Sequence, residues 1–193
     1  MTTNPNTTGP DRMPPLAPED LSSDQRRVYD ALIQGPRGKI EGPFIPLLRS
    51  PVFMDRAQQV GAFIRYESVL PDVLRELAIL VTARVWDQAI EWSIHAPIAR
   101  KDGLSRAAIA AMAQDLRPDD LSEAEAAVHD YCVELHRTQG VSDGLYARVL
   151  ALIGEEALMD LTGLCGYYAM LAMIMNVART PLPAGEPRFK IPD

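Results

Sequence analysis

The chain has 193 residues, 47% of them hydrophobic and 23% charged, a size and balance that suit one domain with a sizeable core. The formal net charge of −7 argues against a protein that holds nucleic acid through an overall basic field, because neutralising phosphates takes Lys and Arg. The only cysteines, Cys132 and Cys165, are spaced for neither a C-x-x-C redox pair nor a zinc knuckle, and read as two inert buried thiols in a reducing compartment.

Residues 1–18 hold Thr, Asn and Pro without an apolar run or a cationic leader, which predicts a frayed tail, no secretory signal and a cytoplasmic protein. Ser22 or Ser23 opens a first helix, with Val28, Leu32 and Ile33 on its apolar face and Gly35-Pro36 as its stop. From Gly35 to Pro51 the breakers Gly38, Gly42, Pro43 and Pro46 predict an arm, anchored by Phe44, Ile45, Leu47 and Leu48. Pro51 reads as the first-turn proline of a helix towards Val69, packed through Phe53, Val60, Phe63 and Ile64.

Pro71-Asp72 opens the next helix, where Leu74, Leu77, Ala78, Val81 and Val85 recur at helical spacing and Glu76 lies among them. A helix from about Asp87 to Arg100 ends at Asp102-Gly103, and Ser105 caps a short one through Gln114. Leu121-Ser122 opens one to about Gln139, Ser142-Asp143 one to Ile153, and a last long helix covers roughly Glu155 to Arg179 before Pro181 and Pro183. The stretch Leu161 to Ala178 has no charge, close to the shortest membrane span, but Thr162, Gly163, Gly166, Tyr167, Tyr168 and Asn176 dilute it; a buried helix is expected. No strand or repeat signature is present, so the chain reads as all-α.

Glu91 and His95 stand four apart and share one helix face, where a carboxylate can orient an imidazole for acid–base work. Gln88 extends that polar stripe by one turn, and Pro97 predicts a kink beside His95. Glu76, if buried, needs a partner. Structural ion pairs produce the same pattern, so these residues alone leave a structural role open. A metal site takes three or four convergent ligands, and His129 and His136 lie on another predicted helix, so no metal is expected.

The run Arg75-Glu76-Leu77 through Ala83-Arg84 to Glu91-Trp92-x-x-His95-x-x-x-Ala99, followed by Gly103-Leu104-Ser105, resembles the carboxymuconolactone decarboxylase family of the alkylhydroperoxidase D-like superfamily. Ser50-Pro51 after Gly42-Pro43-Phe44, and Gly166-Tyr167-Tyr168 with Asn176, extend the resemblance over most of residues 42–185. In the redox branch of that superfamily a glutamate, a C-x-x-C pair and a histidine form a proton relay to a reactive thiol. Matching Glu76 and His95 to the outer members places Gln88 and Glu91 at the two cysteine positions, and without a thiolate that chemistry is closed to them.

The resemblance therefore implies the decarboxylase branch: an oligomeric helical bundle (dimer, trimer or hexamer) that acts without a cofactor on a small carboxylated or lactone-type molecule. It implies His95 as proton donor, Glu91 as the group that orients it, Glu76 as support of the relay, and Arg84, Gln88 and Tyr168 as substrate-binding residues. The expected organisation is a tail over 1–18, a helix and arm over 19–50, a helical domain over 51–180 and a tail over 181–193 that dangles or crosses to a neighbour. A non-catalytic binding or scaffold protein of the same fold is the main alternative, and a residual peroxidase or disulfide reductase a more distant one. Neither nucleic acid nor a membrane is an expected partner.

Overall fold

A computed structural model describes residues 9–35 and 37–192, so residues 1–8 of the expected tail, Pro36 of the expected helix stop and the last residue of the C-terminal tail lie outside the described residues. The described residues form helices and no strand: α1 (Ser23–Gln34), α2 (Phe44–Leu47), α3 (Pro51–Tyr66), α4 (Asp72–Val85), α5 (Ala89–Lys101), α6 (Arg106–Ala113), α7 (Glu123–Thr138) and α8 (Asp143–Ala178). The chain divides into two compact units, one of residues up to Glu67 with Leu171–Pro181, the other of Ser68–Met170 with the residues from Leu182 onward. Length alone suggests a single core; the division falls at Glu67–Ser68, between α3 and α4, and not in the Gly/Pro-rich stretch before Pro51.

In the first unit, α1 starts in a capping box: Gln25 N–H donates to Ser22 Oγ at 3.3 Å, and Ser22 N–H to Gln25 Oε1 at 3.0 Å. The Gln25 amide also donates to Leu48 O at 3.1 Å, tying the expected arm to α1. That arm contains one helical turn, α2, which buries Phe44, Pro46 and Leu47. Both α1 and α2 pack on α3. Residues 9–18 are tied back rather than loose: Arg12 N–H donates to Ala178 O at 2.8 Å and the Arg49 guanidinium to Pro14 O at 2.6 Å.

The packing expected for α3 is corrected. Met54, Ala57, Gly61 and Ile64 form its buried face, while Phe53, Val60 and Phe63 are exposed, so of the four expected packing residues only Ile64 is in the core. Residues 54, 57, 61 and 64 follow one helical stripe, and their small members let α3 approach its neighbours closely; the bulky residues fall on the opposite side.

In the second unit, α4 is the central helix and packs on α5, α6 and α7. Every residue from Leu74 to Ala83 is buried, which is why its sequence is apolar nearly all round. Side-chain caps set the surrounding helices: Gln88 on α5, Ser105 on α6 and a Ser122/Glu125 capping box on α7. Pro97 lies inside α5, which continues past it to Lys101. Helix α8 is interrupted at Gly154, whose φ of 82° and ψ of 169° suit glycine alone, at the place where the sequence separates two helices. By length and composition α8 could cross a membrane, but 56% of its most apolar window is buried within the protein, including Leu161, Leu164, Ala172 and Met175.

The C-terminal segment folds back on the second unit. Arg188 pairs with Asp87 Oδ1 at 2.8 Å, Phe189 meets the Trp92 ring edge-on at 5.5 Å, and the Trp92 indole N–H donates to Lys190 O at 2.8 Å. Residues 188–190 of this segment therefore do not dangle.

Candidate functional site

Burying α4 on all sides carries Glu76 into the core, where it is 1% exposed. An ionised carboxylate there costs several kcal/mol unless it is paired and hydrogen-bonded. Glu76 Oε2 lies 2.6 Å from His95 Nδ1, and Glu76 Oε1 lies 3.5 Å from Arg75 Nε. Arg75 is in turn held by Asp72 Oδ1 at 2.7 Å, one turn earlier on α4. On the far side of the imidazole, His95 Nε2 lies 3.6 Å from Glu91 Oε2. Glu91 sits in the first turn of α5, where the positive end of the helix dipole favours a carboxylate. The ring of Tyr168, from α8, stands edge-on to His95 at 5.2 Å between centroids, and Tyr167 stands edge-on to Tyr168 at 5.4 Å.

The expected trio Glu76, Glu91 and His95 thus converges, with a changed division of labour. Glu76, not Glu91, makes the short hydrogen bond, because α4 and α5 pack side by side and set Glu76 against Nδ1. The Nδ1 hydrogen bond fixes the ring and leaves Nε2 to face Glu91, beyond hydrogen-bond length but within ion-pair range. Such a group can hold a proton at Nε2 and release it to a reacting atom.

Tyr168 is placed at the imidazole, whereas the other two expected substrate-binding residues have different local duties. Gln88 caps α5, its Oε1 accepting from Ile90 N–H at 3.0 Å. Arg84 donates from Nε to Ala113 O at 3.2 Å and stacks its guanidinium over Phe189 at 4.8 Å. It also lines a cleft of about 230 Å³ between α4, α6 and α7, whose walls do not include Glu76, Glu91 or His95. Two further arginines line that cleft and are already paired: Arg117 bidentately with Asp130 at 2.7 and 2.9 Å, Arg137 with Asp115 at 3.4 Å.

Arg75 and Asp72 belong to the constellation although the sequence reading passed over them. Their signal was present: an acid three residues before an arginine on one helix, with the arginine adjoining a glutamate in an apolar run. The cysteines are buried, as expected, and the fold also brings them together. Cys132 on α7 and Cys165 on α8 are buried with their sulfurs 3.5 Å apart. Among the described residues, no group of three or more His, Cys, Asp and Glu is placed to hold a metal ion.

No curated protein and no solved structure matches the chain. The model of the carboxymuconolactone decarboxylase family matches residues 51–129, a span that contains α4, α5 and the whole of Asp72, Arg75, Glu76, Glu91 and His95. Over residues 51–129, the segment that carries its buried Glu–His–Glu constellation, this all-helical chain is similar to the carboxymuconolactone decarboxylase family.

Proposed function

We propose that the protein is a lyase of the decarboxylase type, acting without a cofactor on a small carboxylated or lactone-like molecule at His95. The observation that carries this reading is the buried imidazole held between two carboxylates, 2.6 Å from Glu76 and 3.6 Å from Glu91. When the bond to the departing carboxylate breaks, carbon dioxide leaves and the electron pair delocalises towards the lactone carbonyl. His95 Nε2–H then delivers a proton to the carbon that lost the carboxylate. Glu76 holds the ring through Nδ1, Glu91 orients the proton at Nε2, and Arg75 with Asp72 keeps Glu76 in place. Tyr168, at the edge of the imidazole, is the proposed substrate contact. Arg84 and Gln88 contribute through the packing of Phe189 and the start of α5.

The test is carbon dioxide release from a panel of carboxylated lactones by wild-type protein and by His95→Ala. In deuterium oxide the product should carry deuterium at the former carboxylate carbon, and His95→Ala should abolish turnover while keeping its helical circular dichroism. Release that persists in His95→Ala removes His95 as the proton donor, and no release from any carboxylated lactone favours a binding or scaffold protein of the same fold.

We also propose that the chain works as a homo-oligomer in the cytoplasm. Met175 is buried and Met173 exposed, so α8 offers less free apolar surface than its composition suggests, but Val52, Phe53, Val60 and Phe63 line the outer side of α3.

A further inference from the structure

Cys132 and Cys165 take no part in the acid–base centre, yet the fold brings together two thiols from different helices. Their sulfurs lie 3.5 Å apart, and a disulfide bond is about 2.05 Å long, so the sulfurs must approach by about 1.5 Å to join. His136 stands one turn after Cys132 on α7, and Thr82 of α4 joins it, with Oγ1 2.9 Å from His136 Nε2. Thr82 has a single hydroxyl proton; given to Ala78 O at 2.8 Å, it leaves Oγ1 to accept from His136 Nε2–H. His136 is half-buried and interacts with Cys165, whereas the Cys132 and Cys165 sulfurs belong to residues 0% and 1% exposed.

We propose that Cys132 and Cys165 are a redox-sensitive dithiol that a small hydroperoxide converts to an intrachain disulfide between α7 and α8, with His136 handling the proton. The two sulfurs divide the roles. Hydrogen bonding from Cys132, outweighing burial and reinforced by His136 and Thr82, lowers Cys165 to about 6, while burial and the neighbouring Cys165 push Cys132 up. Cys165 is therefore the thiolate nucleophile and Cys132 the thiol that resolves it.

The Cys165 thiolate attacks one peroxide oxygen; the S–O bond forms, the O–O bond breaks, and the leaving alkoxide or hydroxide takes a proton from the His136 imidazolium. The Cys132 sulfur then attacks the Cys165 sulfenic acid, the S–S bond forms, and the hydroxyl departs as water with the Cys132 proton. Each sulfur gives up one electron, and the two together reduce the peroxide to an alcohol (or water) and water. This centre is independent of His95 and of the reaction proposed there.

The experiment treats the folded full-length protein with hydrogen peroxide, then denatures it in the presence of an alkylating agent and maps the peptides. The expected result is a peptide pair joined through Cys132 and Cys165, an intact mass lower by two hydrogens, and reversal by a dithiol reductant. In Cys132→Ser, which keeps a hydrogen-bond donor beside the Cys165 sulfur but cannot form the disulfide, Cys165 should stop at the sulfenic acid and be captured by a cyclic 1,3-dione; in Cys165→Ala, Cys132 should remain alkylatable. His136→Asn should form the disulfide about tenfold more slowly at neutral pH, as expected of a thiol that loses its thiolate, and an unchanged rate removes His136 from the assignment. Two thiols that both remain alkylatable in peroxide-treated wild-type protein, or that oxidise only between molecules or to sulfinic acids, overturn the proposal. That result needs no variant to fold.

Discussion

Glu76 and His95 depend on each other: each is almost wholly buried, and removing either leaves a polar group in the core without the partner 2.6 Å away. Glu76→Ala and His95→Ala should each destabilise the protein by about 3–5 kcal/mol, the range for breaking a buried pair. In urea denaturation the double variant should lose clearly less than the sum of the two, because the interaction is lost only once. Strict additivity would mean that the short contact contributes nothing. His129, 6% exposed, supplies a pH test. Burial lowers its pKa, against the opposing hydrogen bond of Asp130, so the unfolded chain takes up its proton more readily. The stability it leaves intact above pH about 6.5 is thus lost as pH falls through the folded value. His129→Gln should flatten the decline of Tm between pH about 6.5 and 5; an unaltered slope would locate the acid sensitivity elsewhere.

At the scale of elements, glycine has opposite consequences within one helix. Gly154 interrupts α8 at φ 82° and ψ 169°, with open space where a Cβ would stand, so Gly154→Ala meets backbone strain alone, about 1–3 kcal/mol. Gly163 is exposed, helical and equally uncrowded, and Gly163→Ala should stabilise by about 0.5–1 kcal/mol through a lower helix cost. Thermal melts of the two variants should therefore move in opposite directions, and a common direction would contradict the break in α8. Helix boundaries were legible because their causes are local: the Ser22/Gln25 and Ser122/Glu125 capping boxes, Ser105 and Pro51 act within a few residues of themselves. The inward face of α3 was not legible. Its bulky and small residues are both apolar, and only the neighbours that α1 and α2 supply decide which stripe is covered.

For the whole molecule, the exposed Phe53, Val60 and Phe63 give the oligomer proposal a location. Phe53→Asp with Phe63→Asp should convert the assembly to monomers in sedimentation velocity while leaving the helical circular dichroism intact. A wild-type chain that is already monomeric at high concentration would rule the assembly out. What the sequence by itself determined is the all-α class, the order and ends of most helices, the resemblance of residues 51–129 to the carboxymuconolactone decarboxylase family, and the membership of Glu76, Glu91 and His95 in one group; these follow from periodicity, caps and a motif of short span. Tertiary structure alone decided which carboxylate bonds Nδ1, that Arg84 lines a different cleft, that the C-terminal segment covers Trp92, and that Cys132 meets Cys165. The reason is physical. A helix carries the spacing of its own side chains in its sequence, whereas contacts between helices depend on crossing and rotation, which packing of the whole core selects.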